Sequence, residues 1–477
     1  MKIGILLENV KIRRVLGYTE KEINGISIDD RGDVKGTLFI CLKGSHVDGH
    51  DHAKNAVEKG AVAVVSEMEM DISVPLILVE DARKSLSIIC GNFYGNPAKK
   101  MKMVTVVGTN GKTSTTEILS EIFEYAGIPS ASIGTLGYKV GRDRSAGELT
   151  TPDPIQLHAH LADMYNAGVK CVFMEASAHA IYYDKLAGIK ATVGIFTNIS
   201  QDHLDFFKDM DSYASVKTSY FTHENTALAV VNSDDNYGVR IINNHTVPIV
   251  SYGINNPADV FAIDIRDDAQ GLSFTINAFD CISELHSPLH GVFNVYNIMA
   301  AVATAMYMGI GLKTIKEALA RMAPVPGRYN VYYLRNVRVI IDYAHTPDGL
   351  ETILRDARES TNGRLITVFG CGGDRDRSKR PIMGEIATRY SDLTVITEDN
   401  PRSEEERAIA ADIISGVHSD RRFVTIDDRT SAIRYAMDQA REGDTVVIAG
   451  KGHESYMEKK GVKIPYSDIE TLKKSIE

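Results

Sequence analysis

The chain has no tryptophan, only five cysteines, and no tract of low complexity. Missing tryptophan excludes nothing, but the other absences are informative. No apolar run approaches the roughly 20 residues needed to cross a bilayer, so membrane insertion is not expected. The opening Met1-Lys2-Ile3-Gly4-Ile5-Leu6-Leu7-Glu8 is apolar over too short a stretch for a secretory signal. Cys41, Cys90, Cys171, Cys281 and Cys371 are scattered, odd in number and mostly set in apolar segments. That disfavours a disulfide framework or a zinc site and suits buried thiols in a reducing cytoplasm. With 53 basic against 63 acidic residues the formal charge is −10, which disfavours nucleic acid or an anionic membrane as partner. An anionic substrate must then be held by local basic groups and helix ends.

At 477 residues, 44% hydrophobic and 24% charged, the chain is ordinary globular protein but too long for one core. Three domains are expected, over 1–98, 99–328 and 329–477. The first mixes short strands (Thr37–Leu42, Ala61–Val65) with a helix (His52–Lys59), and Gly95-Asn96-Pro97 breaks the pattern. The second alternates strand and helix, with strand candidates Met103–Val107, Cys171–Met174, Val193–Thr197 and Ala227–Val231 and a buried helix over Phe293–Met308. This is the signature of a largely parallel sheet covered on both faces. Pro324-Val325-Pro326-Gly327-Arg328 forms a hinge, since two prolines forbid continued helix. The third segment alternates again, with strands Val337–Ile341, Leu365–Phe369, Leu393–Thr397 and Thr445–Ala449. It is Rossmann-like but carries no G-x-G-x-x-G fingerprint, so a nicotinamide dehydrogenase is a poor reading.

The most informative stretch is Gly108-Thr109-Asn110-Gly111-Lys112-Thr113-Ser114, between an apolar strand and a helical pattern. A strand feeding a Gly-rich turn into a helix aims backbone N–H groups and the helix dipole at one point, which suits a nucleotide phosphate. Lys112 would reach the outer phosphates of ATP and the Thr113 hydroxyl would ligate Mg²⁺. Further polar groups stand at the carboxyl ends of neighbouring strands, the edge where open α/β sheets bind ligands. Glu175 is a candidate Mg²⁺ ligand there, with a solvated loop carboxylate as the bland alternative. Phe196-Thr197-Asn198-Ile199-Ser200-Gln201-Asp202-His203-Leu204-Asp205 adds an imidazole and two carboxylates. Lys217, by its own context, reads as a solvated helix lysine. Asp342 is placed to accept from ribose hydroxyls with His345 nearby, or the segment caps a helix through Thr346 or Asp348. Three charged loops, two of them rich in glycine, follow strands of the third segment: 371–377, 398–404 and 450–454. Mixed charge of this kind suits a ligand with both carboxylate and ammonium groups, such as an amino acid.

Taken in order, these motifs resemble the Mur ligase family, the ATP-dependent amide-forming enzymes of peptidoglycan synthesis. The likeness runs nearly end to end. It includes Asp48-Gly49-His50, Gly134-Thr135-Leu136-Gly137, Thr150-Thr151-Pro152, Asn198, Asp202-His203, Phe293-Asn294, Asn297, Pro326-Gly327-Arg328, Asp342-Tyr343-Ala344-His345 and Gly372-Gly373-Asp374-Arg375. The resemblance implies an α/β, three-domain architecture. An N-terminal UDP-substrate domain would precede a central P-loop ATPase-like sheet and a Rossmann-like C-terminal amino-acid domain. It also implies a cytoplasmic monomer that uses ATP and Mg²⁺. The substrates would be a UDP-linked muramoyl dipeptide and meso-diaminopimelate.

By resemblance, Lys112, Glu175, His203 and Lys217 are the catalytic set, Lys217 as a carbamylated lysine, and Thr113, Glu175, His203 and Lys217 surround the metal. Asn294 and Asn297 look like adenine-side contacts, Arg328 a phosphate contact, and Asp342 with His345 nucleotide contacts. Thr150, Thr151, Ser177 and Lys185 fall on the acceptor side. Arg375, Asp399, Asn400, Pro401, Arg402, Gly450 and Glu454 match the diaminopimelate pocket, with Arg402 on the distal carboxylate. Members that add L-lysine usually lack that arginine.

The sequence departs from the family on the acceptor side. Ala178 stands for a serine, Tyr183 for a glutamine and Lys185 for an arginine, and lysine lacks the bidentate fork. Asp30 stands where a UDP-diphosphate contact is expected, and an aspartate facing it would repel it. Two acceptors therefore stay open: UDP-MurNAc-L-Ala-D-Glu, or a different carboxylate served by a paralogous ligase.

Overall fold

The structure is a computed structural model, and it describes residues 1–474 apart from Thr19, Ser45, His46 and Glu148. Three main sheets follow one another along the chain. The first has five strands within residues 12–79, parallel except for Ile12–Leu16, which runs antiparallel to Leu76–Val79. Its inner strands, such as Thr37–Ile40, are buried on both faces, as all-apolar runs require.

The central sheet has eleven strands. Its middle is parallel: Lys102–Val107 lies between Cys171–Ala176 and Val193–Phe196. The helices Lys112–Tyr125 and Val292–Tyr307 cover one face, packing Ile118, Ile122, Ile298 and Val302 over Val104, Phe173 and Ile195. Helix Pro154–Asn166 covers the other face through Leu157 and Leu161. The expected parallel core is present, but both flanks are antiparallel. Ser130–Gly134 continues into two short strands, and Val260–Asp268, Gly271–Ala278 and Cys281–Ser287 form a meander at the opposite end. Gly271–Ala278 alternates buried and half-buried positions, a two-residue period that a search for buried apolar runs passes over.

The third sheet orders its strands with Thr445–Ala449 between Val337–Asp342 and Leu365–Phe369. Asn330–Leu334 is its antiparallel edge, and a hairpin, Tyr456–Lys459 with Val462–Pro465, lies outside it. Cys41, Cys90, Cys171 and Cys371 are buried free thiols, while Cys281 is exposed. Among the described residues no helix is long and apolar enough to cross a membrane.

Candidate active site

The carboxyl ends of the central strands and of the third sheet open into one chamber of about 890 Å³. Its floor is the phosphate loop. Lys102–Val107 ends at Gly108, and the helix begins at Lys112 with Gly111 as its N-cap. Gly111 has φ +85°, and a Cβ there would lie 2.4 Å from Asn297 Oδ1, so only glycine lets the chain turn this tightly. The loop is pinned from the next strand end: Asn198 Oδ1 accepts from Asn110 N (2.9 Å) and Thr197 Oγ1 donates to Asn110 O (2.7 Å). Lys112 Nζ folds back onto the carbonyls of Gly108 (3.0 Å) and Thr109 (2.7 Å). Burial pushes its ammonium below the usual lysine range.

Glu175 sits inside the strand Cys171–Ala176, which runs two residues past the apolar pattern, and only 1% of it is exposed. The solvated-carboxylate alternative is thereby excluded. Its oxygens accept from Thr113 Oγ1 (2.9 Å), Thr135 N (2.8 Å) and Thr135 Oγ1 (3.1 Å). A Cβ on Gly134 would fall 2.2 Å from Glu175 Oε1, so that glycine makes room for the carboxylate. Arg328 of the hinge segment donates through Nη2 to Thr113 Oγ1 (3.0 Å) and stacks 4.4 Å from the Tyr343 ring.

Lys217 corrects the reading of a solvated helix lysine. It is 1% exposed, with Nζ 3.4 Å from Thr109 Oγ1 and 4.5 Å from the Tyr213 ring. Burial first, and Lys112 second, hold its ammonium well below the ordinary range. His203 stands opposite with Nε2 3.3 Å from Asp202 Oδ2. Burial lowers the imidazole to about 4 despite that carboxylate. Burial alone would raise Asp202, but His203, His345, Lys379 and Lys217 outweigh it and hold it at about 2. Asp202 was not singled out among the candidate catalytic groups, although it stood beside His203 in the same polar loop.

From the third segment, Asp342, His345, Arg375, Asp399, Asn400, Arg402, Gly450 and Glu454 all line the chamber. Asp342 already accepts from Tyr329 N (2.7 Å) and Ala344 N (2.6 Å), which leaves one lone-pair direction on each oxygen. Burial raises its carboxyl. His345 Nδ1 meets Tyr343 O at 2.9 Å. Asn400 Nδ2 donates to Glu454 Oε2 (2.8 Å), and Lys451, a buried cation that sequence reasoning missed, bridges Asn400 Oδ1 (3.0 Å) and Glu454 Oε2 (2.8 Å). Its signal was there, in the same Gly-Lys-Gly loop as Gly450 and Glu454. Arg402 donates to Gly373 O (2.6 Å) and pairs with Glu458 (3.3 Å).

On the acceptor side Thr150 and Ser177 line the chamber beside Ala178. Gly108, Asn294, Thr151, Lys185 and Pro401 are not in its wall. Asn294 Oδ1 holds Asn297 Nδ2 from behind (2.9 Å), and Thr151 Oγ1 donates to Glu175 O (2.8 Å). Lys185 pairs with Asp153 (2.7 Å), and the Arg83 guanidinium lies 4.4 Å above the Tyr183 ring. Asp30 does not present a bare charge: it accepts from Asn55 Nδ2 (2.5 Å) and lies 3.1 Å from His52 Nδ1, on the helix Gly49–Glu58.

Three family profiles match in succession: Mur ligase family, catalytic domain, over 22–107; Mur ligase middle domain over 106–305; and Mur ligase, glutamate ligase domain, over 327–452. The chain belongs to the Mur ligase family. Its three-domain α/β architecture is that of the family. Among curated Mur ligases, the UDP-N-acetylmuramoyl-L-alanyl-D-glutamate–2,6-diaminopimelate ligase of Syntrophomonas wolfei is 43% identical over 98% of this chain and 97% of its own. The enzyme of that name from Aquifex aeolicus is 41% identical over 96% and 94%. A solved structure of a ligase of the same name superposes with a TM-score of 0.72 at 30% identity, covering 100% of this chain and 98% of the other.

Among the described residues of this Mur ligase, no three His, Cys, Asp or Glu side chains are gathered closely enough to hold a metal ion by themselves. Mg²⁺ does not need such a cage. It takes one or two protein oxygens and completes its shell with phosphates and water. The Thr113 hydroxyl and the Glu175 carboxylate, 2.9 Å apart at the mouth of the loop, fit that requirement.

Proposed function

We infer that this Mur ligase joins meso-diaminopimelate to UDP-MurNAc-L-Ala-D-Glu at the expense of ATP, through an acyl phosphate. One observation carries the reading. The phosphate loop and an arginine-bearing amino-acid pocket open into a single chamber, in a chain 43% identical along nearly its whole length to a ligase named for that reaction.

Residues 1–98 hold the UDP moiety, 99–328 the ATP and 329–477 the amino acid. The enzyme works as a cytoplasmic monomer. The loop amides at 109–114 and the N-terminus of helix Lys112–Tyr125 cradle the phosphates. Lys112 leaves its two loop carbonyls for the outer phosphates. Asn297 lies on the adenine side, with Asn294 bracing it, while Asp342 and His345 face the ribose. Thr113, Glu175 and neutral His203 would hold Mg²⁺, which would offset the charge of the γ-phosphate that an approaching carboxylate otherwise meets.

A dipeptide carboxylate oxygen then bonds to the γ-phosphorus, and the bridging P–O bond breaks with its electron pair going to ADP. The neutral amine attacks the acyl carbon, phosphate leaves, and the amine proton passes to a nearby base. Lys217, kept neutral by burial, is an amine able to add to CO₂ and become a carbamate. In that form it presents a carboxylate to the metal side of the chamber. Arg402 and Arg375 receive the amino acid's carboxylates, while Asp399, Asn400 and Glu454 accept from its ammonium groups.

Asn55 and His52 hold the Asp30 carboxylate in place and keep it ionised, so the usual acceptor is favoured by the likeness to a ligase named for it and not by this contact. The test is phosphate release from ATP with UDP-MurNAc-L-Ala-D-Glu, comparing meso-diaminopimelate, L-lysine and no amino acid. Release that requires both the UDP-dipeptide and diaminopimelate, with a UDP-tripeptide by mass, is the expected result. Turnover absent from protein that binds ATP would overturn it.

A further inference from the structure

Among the third-domain cations that line the chamber, Lys379 is a buried one that no role above uses. Lys379 opens the helix Lys379–Tyr390, is 6% exposed, and lines the chamber wall facing Asp202. Its neighbours in the same charged run are committed elsewhere. Arg380 is clamped between Glu404 (2.7 Å) and Asp412 (2.8 Å), and Arg377 reaches Glu404 (3.1 Å). Lys379 Nζ instead donates to a single acceptor, the carbonyl of His345, at 2.9 Å. An ammonium has three donors, so two stay available. Lys112, on the floor, spends two of its own on Gly108 and Thr109. Among the described residues Asp202 faces Lys379 without a direct ion pair, and burying such a cation is costly unless an anion arrives to meet it. The chamber it faces is the one that receives nucleotide phosphates.

We propose that Lys379 is a catalytic residue whose ammonium contacts the transferring phosphoryl group and stays with the acyl phosphate until the amine displaces it. This rests on the ligase reading above. No proton moves at Lys379: its charge offsets the oxygens of the phosphoryl group while the bond to ADP breaks and the bond to the carboxylate forms. The arrangement makes phosphoryl transfer depend on the amino-acid domain, because the third domain brings Lys379 to the loop through the same strand ends that carry Arg375 and Asp399.

The test compares wild type, K379Q and K379R by calorimetry with Mg²⁺, titrating ADP and the non-hydrolysable imido analogue of ATP. Wild type should prefer the imido analogue. In K379Q that preference should fall about tenfold and kcat about 100-fold, with ADP affinity and thermal midpoint unchanged. K379R, which keeps the charge, should hold the preference within about threefold. Equal weakening of both nucleotides would mean that Lys379 acts only by holding His345, and would overturn the proposal. So would an unchanged preference in K379Q, or one lost equally in K379R. Wild type that binds nucleotide but does not turn over the UDP-dipeptide sinks the ligase reading instead, and the nucleotide ratio still decides the role of Lys379.

Discussion

The two ends of the chamber hold charge in opposite ways. At the amino-acid end three cations are matched, Lys451 with Glu454, Arg402 with Glu458, and behind them Arg429 with Asp468 at 2.8 Å, while Arg375 makes no ion pair among the described residues. At the phosphate end half-buried Lys112 and buried Lys217 rest against carbonyls and a hydroxyl, with no ion-paired carboxylate among the described residues. Both ammonium groups are held below the usual range by burial. A matched network fixes geometry and suits recognition. An unmatched buried cation stores electrostatic work that an incoming anion releases, which suits catalysis on phosphates. The same fold thus places a rigid template beside a poised charge.

Substitutions can break this contrast, and the largest effect belongs to Lys217. Lys217→Ala should lower phosphate release by about 1000-fold or more. Its thermal midpoint should hold or rise, since a buried amine without an ion pair is removed. A variant retaining activity within tenfold would erase the distinction between the two ends. Arg402→Ala should raise the KM for diaminopimelate by about 100-fold and shrink its advantage over L-lysine. Michaelis curves with both amino acids measure this, and kcat should change far less.

A third test concerns stability rather than catalysis. His158 is buried where the first domain meets the central one, 3.5 Å from Ser87 Oγ, and burial lowers its imidazole from 6.5 to about 4. The unfolded chain takes up a proton near 6.5 that the folded protein refuses until about 4. Stability is therefore fully present above 6.5 and is lost as the pH falls through that window, by up to about 3 kcal/mol from this group. Thermal unfolding of His158→Phe between pH 4 and 7 should show a flatter dependence than wild type, and an unchanged slope would show that other groups carry the acid response. The smallest effect is expected at Lys185→Arg. Its partner Asp153 is half in solvent, and the KM for the UDP-dipeptide should move less than about threefold. A large gain would instead mean that the guanidinium fork matters at this position.

What could be read in advance followed the range of the cause. The phosphate loop declared itself because strand, glycines, lysine and helix start are contiguous. The parallel strands of the second and third segments stood out for the same reason, as short apolar runs. The antiparallel meander over 260–287 did not, because its alternation is diluted by half-buried positions and charged residues. Lys217 looked like any helix lysine because its environment comes from Thr109, 108 residues away in the chain. Lys379 was passed over for the same reason, since its partner lies in another loop, whereas Lys451 pairs with Glu454 in its own loop and was legible there. Asp30 read as an isolated charge, whereas His52 and Asn55, presented by a neighbouring helix, hold its carboxylate in place.

By itself the sequence determined where the parallel strands lie to within a residue or two, where a phosphate would be cradled and which family the order of motifs points to, because those depend on backbone periodicity and on residues adjacent in the chain. Only the tertiary structure decided which lysines are buried and unmatched, which aspartates are held by neighbouring side chains, and that the loops of two sheets face one chamber. Burial and Coulomb energy depend on distances between side chains brought together from remote positions, and the folded packing alone fixes those distances.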